Sequence, residues 1–127
     1  MNIKPWSTIL DGVNELYFSE LHDTGKVRFV IKDKDGTFYE VLIPSSAGPY
    51  LISDEEYLDR YTFHTSSSSS RTFEIENSDL LACIVNGTHL SDNNLRHFVV
   101  TTYDACLEVF CDNEPQVRKL NAKEITA

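Results

Sequence analysis

The chain has 127 residues, 41% hydrophobic and 24% charged, which is one domain's length with an ordinary globular balance and excludes global disorder. Lys and Arg number 11 against 20 Asp and Glu, for a net charge of −9. That field opposes nucleic acid and anionic membrane, which bind proteins through cationic contacts to phosphate, and no stretch approaches the roughly 20 apolar residues that span a bilayer.

Asp11 and Glu15 interrupt the opening segment before any continuous apolar run. No signal peptide is expected, and the cytoplasm is the expected location. Ser7 to Leu21 reads as a helix: Leu10, Val13, Tyr17 and Leu21 recur at helical spacing, and Ser7 is placed to cap it. Gly12 weakens that reading, and the rival is that ELYFSEL is already a strand. Val27, Phe29 and Ile31 alternate with Arg28 and Lys32, which predicts a half-buried strand. Asp33 to Gly36 predicts a turn, and TFYEVLIP the return strand of a hairpin, stopped at Pro44. Ser53 followed by Glu56 matches a capping box and predicts a short helix carrying Tyr57, Leu58 and Tyr61.

Residues 66–70 are five consecutive serines, an exposed loop by composition. TFEIEN then predicts a strand, with Phe73 and Ile75 inward and Glu74 and Glu76 outward. Ser78 is placed to cap a helix, DLLACIVN, which Gly87 would end. RHFVVTTY and CLEVF flank Asp104 and Ala105 as a second hairpin, and the tail from Glu114 has weak periodicity and is expected to fray. The expectation is therefore α+β: a single domain over residues 1–127, with an antiparallel sheet of about five strands and two or three helices largely on one face.

The three cysteines, Cys83, Cys106 and Cys111, are an odd count without an export signal, so a disulfide framework is not expected. Buried apolar cysteines are the expectation, with Cys106 and Cys111 on opposite faces if they share a strand. DKDGT fails as a calcium loop, because aligning Gly36 with the required glycine puts Ile31 and Leu42 where acids must stand. The histidines, at 22, 64, 89 and 97, show no metal-binding or protease spacing. No nucleophile or phosphate-binding motif is present. No catalytic, cofactor or metal site is expected. What stands out is a mixture of acids and tyrosines: Asp54, Glu55 and Asp59 with Tyr57 and Tyr61, then Glu74, Glu76 and Asp79. Tyrosine suits protein interfaces, and acids steer a basic partner. A solvated acidic face with core tyrosines explains the same residues without a partner.

SDLLACIVNG, a polar spacer and LRHFVVTTYDACLEVFCDNEP resemble immunity proteins of bacterial toxin–immunity pairs, including those of contact-dependent growth inhibition. The likeness covers residues 73–117: a capped helix after an acidic strand, the Leu95, His97, Phe98 pattern, and Leu107-Glu108-Val109 before Pro115. The resemblance implies a small cytoplasmic protein without catalysis that blocks one cognate toxin domain, many such toxins being nucleases or other basic domains. It transfers no site residues, so the eight acids and tyrosines named above are the candidate contacts by charge alone. The rivals are a small-ligand or regulatory binding module, and a small enzyme whose structure would join a histidine to a carboxylate or cysteine in a cleft.

Overall fold

A computed structural model describes residues 2–13, 15–43, 49–54, 70–86 and 95–125. The architecture is mainly β rather than α+β. Among the described residues it holds two antiparallel sheets and two short helices. The strands are β1 (Asn2–Pro5), β2 (Tyr17–Asp23), β3 (Val27–Lys32), β4 (Phe38–Leu42), β5 (Tyr50–Asp54), β6 (Thr72–Glu76), β7 (Arg96–Thr101), β8 (Ala105–Cys111) and β9 (Gln116–Lys119). The helices are α1 (Asp79–Asn86) and α2 (Ala122–Ile125). The first sheet runs β1-β6-β7-β8-β5 and the second β2-β3-β4-β9. None of the described helices is long and apolar enough to cross a membrane.

The β3–β4 hairpin forms as its alternation dictates. Phe29, Ile31, Tyr39 and Val41 pair across it and enter the core. Asp33 organises the turn: one carboxylate oxygen accepts from the Asp35 and Thr37 N–H groups, and the other from the Tyr39 hydroxyl. Gly36 supplies the positive φ of 85° that this tight return needs. On the opposite face of the second sheet the buried carboxylate of Glu40 is held between Arg28, at 3.2 Å, and Arg118, at 3.0 Å.

One face of each sheet contributes to a shared core. Phe29, Ile31, Val41 and Ile43 of the second sheet and its flank meet Phe98, Val100, Leu107 and Val109 of the first. The other face of the first sheet is also buried, around Phe73, Ile75, Val99 and Cys106. Strand β8 is therefore buried at every position, which is why CLEVFC lacks the alternation of a one-sided strand. Cys106 and Cys111 point to opposite faces and are both buried, whereas Cys83 on α1 is exposed. Burial pushes the Cys111 thiol up to about 12.

Three expectations fail. The helix over 7–21 does not form. Thr8 and Asp11 bind the local backbone with their side chains, and the short-range bonds Asp11 N–H to Thr8 and Val13 N–H to Leu10 make turns. Positive φ values at Gly12 (79°) and Glu15 (50°) then redirect the chain, and Tyr17 starts strand β2, as the rival reading had it. Part of the stripe that suggested a helix still faces inward: Leu10 is fully buried and Val13 and Leu21 pack against the core, joined there by Leu16, whereas Tyr17 does not enter it. Second, Ser53 does not begin a helix. It lies in β5, opposite Cys106, because Tyr50 and Ile52 pack on the main core and pairing with β8 overrides the capping signal. Residues 55–61 of that expected helix lie outside the described residues, as do 66–69 of the serine run. Third, the tail does not fray. Val117 and Leu120 pack inward, and β9 pairs with β4. Asn121 and Glu124 cap α2 reciprocally, each side chain accepting from the other's backbone N–H.

Candidate functional site

Of the eight acids and tyrosines singled out in the sequence, the four described do not gather in one place. Glu55, Tyr57, Asp59 and Tyr61 lie outside the described residues. Asp54 is exposed at the end of β5, opposite Ala105, whereas Glu74 stands opposite Phe98, beside Arg96, which itself faces Cys111. Ala105 to Cys111 is the length of β8, about 20 Å at ~3.3 Å per residue. The described acids thus divide between the two ends of the first sheet.

At the Arg96 end the acids are engaged. Arg96 donates two hydrogen bonds to the Glu74 carboxylate, at 2.7 and 2.8 Å. Lys4 lies 3.8 Å from Glu74 and 2.8 Å from Glu76. The expectation that Glu74 points outward is corrected: its side chain is buried in this ion pair. The Arg96 hydrogen bonds hold Glu74 below the usual carboxylate range. A depressed carboxylate contributes stability above its unfolded value of 4.5 and loses that contribution as pH falls through the folded value. Glu74→Gln is therefore expected to cost about 1–2 kcal/mol at pH 7. The gap from the parent should close on acidification below pH 4.5, as urea titrations at pH 7 and pH 3.5 would show. Asp79 is exposed in the first turn of α1, where the helix dipole favours it.

Beside these residues lies an open cavity of about 400 Å³. Its lining is mixed: Ile75, Leu81, Ala82, Val85 and Leu95 are apolar, and Glu74, Glu76, Asn77, Ser78 and Arg96 are polar or charged. Ser78 caps α1 as predicted, its Oγ accepting from the Leu81 N–H at 3.0 Å. It also belongs to a buried chain that sequence reasoning missed. Ser78 Oγ is 2.7 Å from His97 Nδ1, and His97 Nε2 is 2.9 Å from Glu108 Oε1. His97 and Glu108 are fully buried, and the imidazole packs on Phe110 at 4.5 Å. In the arrangement with a neutral imidazole and an ionised Glu108, Nε2 donates to Glu108 and Nδ1 accepts from the Ser78 hydroxyl. Ser78 Oγ still has a lone pair for Leu81 N–H. The available signal was a histidine and a glutamate within largely apolar strand runs, RHFVV and CLEVF.

At the other end the acids are not paired. The β7–β8 turn presents Tyr103, 63% exposed, with its ring 5.6 Å from that of Tyr17. The Tyr17 hydroxyl donates to Glu15, which holds its pKa above the ordinary value. The backbone below is fixed: Tyr103 N–H donates to Leu16 at 2.7 Å, and Asp104 accepts from the Phe18 N–H and the Thr102 hydroxyl. Thr102 in turn clips both the N–H and the carbonyl of Ala105. Glu15, Asp54 and Asp104 form no ion pair among the described residues. A different set of tyrosines and acids meets here, Glu15, Tyr17, Tyr103 and Asp104, brought together by folding, with Asp54 the one described candidate in register beside them, opposite Ala105.

Comparison of the chain with models of known protein families, with characterised proteins and with solved structures found no match.

Proposed function

We propose that this protein is an immunity-type inhibitor, a cytoplasmic binder that neutralises one cognate bacterial toxin domain with a basic surface. The observation that carries the reading is the rigid patch of Tyr17, Tyr103, Glu15, Asp54 and Asp104. It offers two aromatic rings, Tyr103 on the β7–β8 turn and Tyr17 at the start of β2, beside three carboxylates that form no ion pair among the described residues. Exposed tyrosines lose little side-chain freedom on binding and are frequent hot spots. Acids around them raise the encounter rate with a basic partner and can meet its Lys or Arg side chains over the rings. The net charge of −9 and the likeness of residues 73–117 to immunity proteins point the same way.

The test is co-expression with the toxin-domain protein encoded beside this gene, read by co-purification and by growth rescue. Binding should weaken as salt rises, chiefly through the association rate. Tyr103→Ala should weaken it by about 2 kcal/mol, roughly 30-fold. Rescue and binding undiminished by Tyr103→Ala combined with Asp54→Lys would remove the patch from the interface while keeping the role. No complex and no rescue would sink the role itself.

A further inference from the structure

The Ser78, His97, Glu108 chain has the order of a nucleophilic serine, its base and its orienting acid. Serine is a weak nucleophile unless a base takes its proton as it attacks. Here the base is in contact at 2.7 Å, with its far nitrogen held by a carboxylate at 2.9 Å. Three further features surround that chain. Ser78 follows Asn77, whose φ of 53° makes a sharp turn from strand β6 into helix α1. A strand, a strained turn and a helix also frame nucleophilic serines, where the serine itself is strained; here the positive φ falls on Asn77 and Ser78, 7% exposed, follows it. In the first turn of α1 the Leu81 N–H is taken by Ser78 Oγ, while those of Asp79 and Leu80 have no intrahelical acceptor and face a developing negative charge favourably. Ser78 also lines the 400 Å³ cavity, where the apolar part of the lining, on α1 and at Ile75 and Leu95, would suit a short acyl chain beside the polar Glu74, Glu76, Asn77 and Arg96.

We infer that Ser78 is an acyl-transfer nucleophile toward esters with a small apolar acyl group, with His97 as its base and Glu108 as the group that holds the imidazole. Ser78 Oγ attacks the ester carbonyl carbon while its proton passes to His97 Nδ1. Glu108 stabilises the imidazolium through Nε2–H. The tetrahedral oxyanion lies against the α1 N-terminus. The bond to the leaving alcohol oxygen then breaks, and that oxygen takes the proton from Nδ1, leaving an acyl-Ser78 ester. Water from solvent repeats the sequence, releasing the carboxylic acid and restoring the hydroxyl. The imidazole is inverted relative to the common arrangement, with Nδ1 rather than Nε2 on the serine. The exchange is the same because both nitrogens lie in the ring plane and one carries the proton. This site stands at the opposite end of the first sheet from the tyrosine patch and does not depend on the inhibitor reading.

The experiment treats the full chain with a fluorophosphonate probe and measures intact mass and the labelled peptide, with p-nitrophenyl butyrate hydrolysis as a second readout. One adduct on Ser78 is expected, with ester turnover reduced about 100-fold or more in Ser78→Ala and Glu108→Gln. Ser78→Ala and Ser78→Thr are compared by thermal melting, so that loss of the helix cap is not mistaken for loss of a nucleophile. A folded parent that takes no label, or turnover that survives Ser78→Ala unchanged, overturns the assignment and leaves Ser78 as a cap. Failure here would not touch toxin binding, and failure of toxin binding would not touch this result.

Discussion

Replacing His97 by alanine is expected to destabilise the fold by about 3–5 kcal/mol, among the largest effects of any single change. Two causes act together. The imidazole is fully buried and packed on Phe110, so its removal leaves a cavity. It also leaves the Ser78 hydroxyl and the Glu108 carboxylate without the partner each now contacts, and a buried polar group stripped of a partner bears its desolvation cost. For a domain between the usual calibration sizes, this corresponds to a fall in Tm of roughly 10–20 °C. Ser78→Ala removes the cap and the hydroxyl at His97 Nδ1 but opens little space, and should cost less, about 2 kcal/mol. Urea unfolding of both variants gives the comparison. A His97→Ala loss no greater than that of Ser78→Ala would show that Ser78 and Glu108 find replacement partners.

Phe98→Ala should cost a similar amount, about 3–5 kcal/mol, by a different route. Phe98 has no exposed surface and sits in the core shared by the two sheets. Its ring lies 4.9 Å from that of Trp6, which reaches the same core from beyond β1. The Arg96 guanidinium also lies over this ring, at 4.8 Å. The substitution therefore opens a cavity and unseats the arginine that holds Glu74. The pH-dependent part of stability assigned to Glu74 should shrink in this variant, which a cavity alone would not cause. Tyr103→Ala is the contrast: an exposed aromatic of comparable size, expected within about 1 kcal/mol of the parent. If both substitutions prove equally mild, Phe98 is not the link between the two sheets.

The parts of the fold legible in the sequence are those where local signals and tertiary demands agree. Val27 to Ile43 alternates, carries Asp33 and Gly36 at the turn, and forms its hairpin. Ser78 caps the helix it was expected to cap, and the last hairpin turns at Asp104. The misread segments are those where distant pairing prevails. Leu10, Val13 and Leu16 are spaced as on a helix, but they reach the core from turns pinned by Thr8, Asp11 and Gly12. Ser53 and Glu56 are spaced as a capping box, but β8 needs an edge partner and Tyr50 to Asp54 supplies it. The second sheet was not foreseen because β9 has only Val117 facing inward, too little for a periodic signal.

The candidate sites were legible to a smaller degree for the same reason. Acids and tyrosines close in sequence suggested a patch, yet folding separates Asp54 from Glu74 and joins Tyr17 to Tyr103. No spacing rule connects Ser78, His97 and Glu108, because two sheet registers and a helix cap bring them together. His97 did stand out in the likeness to immunity proteins, as part of a strand pattern, without a role attached.

The strand order also sets a timetable. Strands β2, β3 and β4 are neighbours in sequence and can pair soon after they are made. Tyr39, however, finds Lys119, Tyr50 finds Val109, and Ile3 finds Ile75. Such distant pairings place folding toward the slow, millisecond-to-second range of two-state domains. At about 5–20 residues per second of synthesis, the early three-stranded meander waits several seconds for β7 and β8. During that wait Phe29, Ile31, Tyr39 and Val41 have no opposing sheet. The nascent chain thus shows a sticky, unpaired face before its cover exists, and its yield in the cell should respond to chaperone supply and growth temperature more than its finished core would suggest.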